Sequence, residues 1–169
     1  MKSEQELFWQ GEFGDDYVDR NTNHKMFYYF SKILFNNAIS IKSVIEFGAN
    51  VGINLDTLKI LYPKIKTFGV EINAKAFPIL EKKHSGFHGS VYEFSSDDKF
   101  DLTLSSGVLI HQDPSMLENF YEKLFNLSRK YILLNEYHSP NPVEIDYRGN
   151  KGKLFKRDFG HHLWSFYPS

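Results

Sequence analysis

The segment SVIEFGANVGIN constrains the fold of this chain more than any other. A β-branched and aromatic run beginning at Ser43 ends in Gly48, and Gly52 then leads into a helical pattern through Ile53, Leu55, Leu58 and Leu61 that Pro63 stops. That is a strand, a glycine turn and a helix. The order repeats downstream: KTFGVEIN reads as a strand, AKAFPILEKKH as a helix, Phe87 to Val91 as a weak strand, KFDLTLSSG as a strand, PSMLENFYEKLFNLS as a helix and KYILLNEY as a strand. Asp113 suits the N-cap of the helix that Pro114 opens. Upstream, Met26, Phe27, Phe30, Ile33 and Leu34 fall at helical spacing. Strands alternating with helices predict an α/β chain: a Rossmann-like parallel sheet of about five strands with helices on both faces.

No repeat or low-complexity linker divides the 169 residues, and an apolar share of 41%, with 17% aromatic, suffices for one core. A single domain, 1–169, is expected. Residues 1–22, aromatic and without clean periodicity, form a cap or loop segment, and residues 138–169 form a tail that opens with turn signals and closes with a helix from about Lys156 to Phe166. A formal charge of -1 gives no cationic footprint for nucleic acid. The absence of cysteine excludes disulfides, thiolate metal sites and thiol chemistry. With no signal-peptide pattern and no run near the roughly 18 apolar residues of a membrane span, the expectation is a soluble cytoplasmic protein without a membrane partner.

Ligands of open α/β sheets sit beyond the carboxyl ends of the strands, where strand order reverses. At the first such end Glu46, Gly48, Asn50, Gly52 and Asn54 lie together in EFGANVGIN. The spacing is GxxxG rather than the GxGxxG that a dinucleotide pyrophosphate usually needs, and an acid just before it suits a ligand with an ammonium group and no phosphate. This points to the methionine end of S-adenosylmethionine. A tight turn with a solvated Glu46 is the plainer alternative.

At the second end Glu71, with Ile72 beside it, lies where an acid can accept both hydroxyls of a ribose. Alone it also reads as an ordinary helix N-terminal charge. Ser90 and Val91 at the third end are candidates for a base-binding turn, with a hydroxyl where an acid is common. Ser106 and Gly107 end the fourth strand, and His111 follows as a general base or as an imidazole pinned to a carbonyl. In the tail Arg148 and Arg157 can each grip a carboxylate bidentately. His161 and His162 are adjacent and point apart on a helix, so no metal site is expected.

These blocks in order, EFGANVGIN, GVEIN, GSVYEF and FDLTLSSGVLIH, resemble the motifs of class I S-adenosylmethionine-dependent methyltransferases. More narrowly, FWQGEFGDDYVDRN and EYHSPNPVEIDYRGNKGKLFKRDFG resemble the methylases associated with pseudaminic acid biosynthesis. The resemblance implies S-adenosyl-L-methionine as cofactor, held by Glu46, Gly48, Gly52 and Glu71 with Val91, Ser106 and Gly107. It implies methyl transfer to an oxygen or nitrogen of a small acceptor, such as a nonulosonic or amino sugar. His111 is then the candidate base, and Tyr17, Arg20, Asn21, Tyr137, Tyr147 and Arg148 the candidate acceptor residues.

Members of that fold continue into a C-terminal β-hairpin that completes the sheet, which this chain is expected to lack. The apolar fifth strand would then be an edge for a second copy, another partner or the tail to cover. Two other functions stay open: a catalytically silent cofactor-binding module, and a nicotinamide-dependent dehydrogenase, which the GxxxG spacing opposes.

Overall fold

A computed structural model describes residues 2–20 and 26–168. Five parallel strands, β1 (Ser43–Phe47), β2 (Lys66–Glu71), β3 (Ser85–His88), β4 (Phe100–Ser106) and β5 (Ser128–Asn135), form one sheet in the order β3-β2-β1-β4-β5. The chain runs outward through β2 and β3 on one side of β1 and returns through β4 and β5 on the other. Strand order therefore reverses between β1 and β4, where the expected cleft belongs.

Alternation along β1 sends Val44 to one face and Ile45 and Phe47 to the other, so each face carries its own core. On Val44's side lie Phe30 and Leu34 of α3 (Met26–Asn36), Leu55 and Leu58 of α4 (Ile53–Leu61) and Leu80 of α5 (Phe77–Leu80). The opposite core takes Phe120, Tyr121 and Leu124 from α6 (Leu117–Leu127) and Phe159 from α7 (Phe159–Phe166). Each large apolar side chain so buried contributes about 1.5 to 3 kcal/mol relative to exposure. The expected α/β class, with helices on both faces of a five-stranded parallel sheet, is what the chain forms.

β5 pairs only with β4, and among the described residues no further strand joins the sheet. The tail's β6 (Val143–Glu144) and β7 (Phe155–Lys156) pair antiparallel with each other, apart from it.

Four local readings change. The N-terminal stretch expected as cap or loop is two helices, α1 (Glu4–Gln10) and α2 (Glu12–Arg20). A capping box starts the first: Ser3 accepts from the Glu6 N–H at 3.2 Å and Glu6 from the Ser3 N–H at 2.7 Å. Their aromatic rings stack on one another, Phe8 on Phe13 at 4.2 Å, instead of forming an apolar stripe for the sheet, so the periodicity was blurred. The helix expected over AKAFPILEKKH keeps only Phe77–Leu80, because beyond it the Lys83 and His84 N–H groups both turn back to the Leu80 carbonyl. The tail helix begins at Phe159, where the Asp158 side chain accepts from the His161 N–H at 2.9 Å. In α3, Ile33 is exposed while Phe30 and Leu34 are buried; the side chains of Met26 and Phe27 lie outside the described residues.

Candidate functional site

The loop from β1 to α4 has three residues at positive φ: Gly48 at 66°, Asn50 at 50° and Gly52 at 84°. A Cβ on Gly48 would lie 2.6 Å from Val108 Cγ2, and one on Gly52 2.7 Å from His84 Cδ2. Both glycines are therefore required by packing as well as by φ. The Gly48 and Ala49 N–H groups donate to the Val70 carbonyl at 2.8 and 3.1 Å, which ties the loop to the end of β2.

There the buried Glu71 carboxyl accepts from the Asn50 N–H through Oε2 and from the Asn73 N–H through Oε1, each at 2.7 Å. Burial raises its pKa, against the pull of the Asn73, Asn50 and Ile72 N–H groups. Asn50, a non-glycine residue at positive φ, is held there by this bond, and its Oδ1 is buried without a partner.

Glu46 is 1% exposed. Its Oε1 accepts from Asn54 Nδ2 at 2.6 Å and its Oε2 has no partner. Burial pushes its pKa to about 8; Asn54 pulls it down and nearby Glu71 pushes it further up. Glu46 thus holds its proton at neutral pH, contrary to the solvated carboxylate of the plainer sequence reading.

On the other side of the switch point the β4 end runs into Gly107, at φ 68° with open space where a Cβ would sit. Ser106 Oγ accepts from Asn135 Nδ2 at 2.8 Å. Glu136, just past β5, accepts from Ser105 Oγ at 2.7 Å and from the Val108 and Leu109 N–H groups at 3.1 and 3.2 Å. It is a clamp on the loop that carries His111.

His111 is 6% exposed and packed between the rings of Trp9, at 4.6 Å, and Tyr147, at 4.7 Å. Its Nδ1 lies 2.6 Å from the Lys153 carbonyl oxygen, which can only accept. Nδ1 therefore carries the hydrogen, and Nε2 keeps a lone pair. Burial lowers the pKa to about 4, so the ring is neutral at physiological pH. The two readings of this histidine are compatible: it is pinned to a carbonyl, and it lines a cleft with its free nitrogen unprotonated.

That cleft has a volume of about 600 Å³ and opens over the carboxyl ends of β1, β2 and β4. Helices α1 and α2 cover it. Asn73 Nδ2 donates to the Trp9 carbonyl at 3.2 Å and to Asp15 Oδ1 at 2.8 Å, strapping the helices to the β2 side. On the tail side Gln5 Nε2 donates to the Gly152 carbonyl at 3.3 Å, and Lys153 Nζ pairs with Glu4 at 2.5 Å.

From the first two strand ends Gly48, Asn50, Asn54, Glu71 and Ile72 line the cleft; from the third and fourth, Ser90, Val91, Ser106 and Gly107 do. Tyr17, Arg20, Tyr137 and Tyr147 line its outer part. Three expected residues do not. Glu46 lies beneath Asn54, Gly52 packs on His84, and Arg148 sits at φ 52° on the exposed turn between Tyr147 and Asn150. Its charge still reaches inward: burial raises the Tyr17 pKa, with Tyr147 and Tyr137 adding to the rise and Arg20 and Arg148 opposing it. Asn21 lies outside the described residues. Arg157 sits 3.5 Å from His162 Nδ1 rather than on the cleft.

Sequence reasoning missed Gln5, Glu6 and Trp9 of α1, and Asn73, which all line the cleft. The readable signal for α1 was Ser3-x-x-Glu6, a capping-box pattern.

No family model and no curated protein matches the chain. Solved structures do. DhpI, in complex with SAH, aligns over 95% of this chain and 84% of its own, with a TM-score of 0.66 and 11% identity. The plantazolicin methyltransferase BpumL, in complex with a desmethylPZN analogue and SAH, aligns with a TM-score of 0.61 and 17% identity over 79% of this chain. The sugar N-methyltransferase KedS8 from Streptoalloteichus gives 0.58 and 13% over 83%. The chain has the methyltransferase fold. It spans 58% of BpumL and 62% of KedS8, and at these identities the likeness is one of fold.

Proposed function

We propose that the chain binds S-adenosyl-L-methionine in this cleft and transfers its methyl group to an oxygen or nitrogen of a small acceptor, with a nonulosonic or amino sugar as the leading class. The observation that carries the reading is the junction of Asn50 and Glu71. A buried carboxyl at the end of β2 is tied to the glycine loop of β1 at the point where strand order reverses. Each Glu71 oxygen already takes one backbone N–H and keeps lone-pair capacity for a pair of ribose hydroxyls.

The residues fit the rest of the cofactor too. Asn50 lines the cleft with its Oδ1 a buried acceptor that has no donor, suited to a ligand bearing an ammonium. Ser90 and Val91 offer a turn for the base, and Ser106 and Gly107 the opposite wall. That S-adenosylmethionine and its demethylated product are the ligands draws support from the SAH complexes of DhpI and BpumL, and the sugar class from KedS8.

S-adenosylmethionine supplies a methyl group already made electrophilic by its sulfonium, so the protein's task is mainly to align the acceptor. Tyr17, Arg20, Tyr137 and Tyr147, with the charge of Arg148 nearby, hold an anionic acceptor at the outer end. His111 Nε2 takes the proton of an acceptor hydroxyl, the Lys153 carbonyl keeping the other nitrogen protonated.

One observation favours a catalytically silent binding module instead: His111 is nearly sealed between Trp9 and Tyr147. Calorimetry with S-adenosylmethionine, S-adenosylhomocysteine and NAD tests the cofactor, and a turnover assay across sugar, amine and carboxylate acceptors tests the transfer. Preference for NAD, or no adenosyl binding, refutes the reading. Tight adenosyl binding without turnover on any acceptor class favours the silent module.

A further inference from the structure

Beyond β3 the cleft ends in Ser90, Val91 and Tyr92; Glu93 there turns its carboxylate to the Ser90 N–H at 3.1 Å, and the carboxylate that lines this part of the cleft comes from the N-terminal helix. Glu6 of α1 lines the cleft together with Ser90. Burial works to raise the Glu6 pKa, but Ser90 first, then the Ser3 backbone and side chain and the Lys2 charge, hold it below its ordinary value. The capping contact with the Ser3 N–H, at 2.7 Å, occupies only Oε2, and an ionised carboxylate has about four acceptor positions. Around it, Ser90 Oγ accepts from the Tyr92 N–H at 3.2 Å, and the Tyr92 hydroxyl donates to Gln112 Oε1 at 2.9 Å. These neighbours are already partnered, whereas Glu6 retains acceptor capacity.

We infer that Glu6 reads the exocyclic amino group of the ligand's purine, so that the cover helix α1 supplies part of base recognition. The inference rests on the proposed function. With the ribose at Glu71 on β2, the base extends to the next strand end, which is β3 in the order β3-β2-β1. An amino substituent there donates to a carboxylate, while a 6-oxo purine would place acceptor against acceptor. Selectivity for the 6-amino base then depends on α1 lying across the cleft, where the Asn73 and Lys153 contacts hold it.

The test compares S-adenosylhomocysteine with its analogue carrying hydrogen in place of the 6-amino group, by calorimetry on the full chain. The wild type should prefer the amino ligand by roughly ten- to a hundredfold, the scale of one charge-assisted hydrogen bond. Glu6→Ala should lose most of that preference by weakening the amino ligand alone, with the affinity for the analogue unchanged. Glu6→Gln keeps a side chain able to complete the capping box and should lose a large part of the preference without disturbing α1. Equal weakening of both ligands in Glu6→Ala would mean that α1 merely covers the site and would overturn the inference. So would a wild-type preference retained in both variants. If the wild type binds neither ligand, the adenosyl reading itself fails and the inference falls with it.

Discussion

Replacing Glu46 by Gln is expected to remove a fall in stability that the wild-type protein shows between neutral and mildly alkaline pH. In the folded chain this carboxyl holds its proton up to about pH 8, against an ordinary value of 4.5. Between those values the folded state binds a proton that the unfolded state has released, so unfolding free energy falls as pH rises. The contribution is fully present below about pH 4.5 and is lost as pH passes through about 8. The slope is about 1.4 kcal/mol per pH unit while the difference lasts, which between about pH 6.5 and 8.5 sums to about 2 kcal/mol. Gln cannot titrate, yet its side-chain oxygen can still accept from Asn54 Nδ2, so packing should survive. Glu71 and Glu136, whose carboxyls burial also raises, remain in both proteins and cancel to first order in the difference. Urea unfolding followed by tryptophan fluorescence at intervals of half a pH unit gives the two curves. They should diverge by about 2 kcal/mol across that window, with the wild type losing ground as pH rises. Parallel curves would show that Glu46 is ionised in the folded state and would refute its assignment as a buried neutral acid.

Glu71→Ala should weaken S-adenosylhomocysteine by roughly 1.5 to 3 kcal/mol in calorimetry, and unchanged affinity would sink the ribose assignment. Gly48→Val sets a β-branched residue at φ 66° with its Cβ 2.6 Å from a Val108 methyl, so it should lower the unfolding free energy by at least about 2 kcal/mol, read as a lower urea midpoint. A wild-type midpoint would contradict the loop geometry. His111→Asn should cut turnover on a hydroxyl acceptor by about 10²- to 10⁴-fold with cofactor affinity nearly intact. Because the folded-state pKa is about 4, the wild-type rate should stay level as pH falls from 7 and drop only as pH nears that value; a midpoint near 6.5 would speak against the buried, neutral ring. Arg148→Ala should raise KM for an acidic acceptor more than it lowers kcat, and an equal effect on a neutral acceptor would remove Arg148 from acceptor binding.

Much of the proposed cofactor half of the cleft was legible because its signals are local. Gly48 and Gly52 mark a turn that needs positive φ, and Glu71 follows at the end of the next strand, so a parallel sheet brings them together with no further information. The proposed acceptor half was less so. Tyr17 and Arg20 lie in a segment whose sequence lacks clean periodicity, and only its folding into α1 and α2 places them, with Trp9 and Glu6, over the cleft. Arg148 carries the right chemistry but sits on an exposed turn, a matter of two consecutive left-handed residues, Arg148 and Gly149, that composition does not announce.

Sequence alone determined the strand order of chemistry: which ends carry glycine, acid, hydroxyl and imidazole, and that helices must cover both faces of an apolar parallel sheet. Those properties follow from periodicity and backbone limits within a dozen residues at a time. Tertiary structure decided the protonation and the partners. Glu46 holds its proton because the fold removes water from around it, and His111 has a defined tautomer because a carbonyl 42 positions away reaches its Nδ1. Desolvation and long-range hydrogen bonds depend on which segments pack together, and the spacing of residues along one chain does not encode that locally.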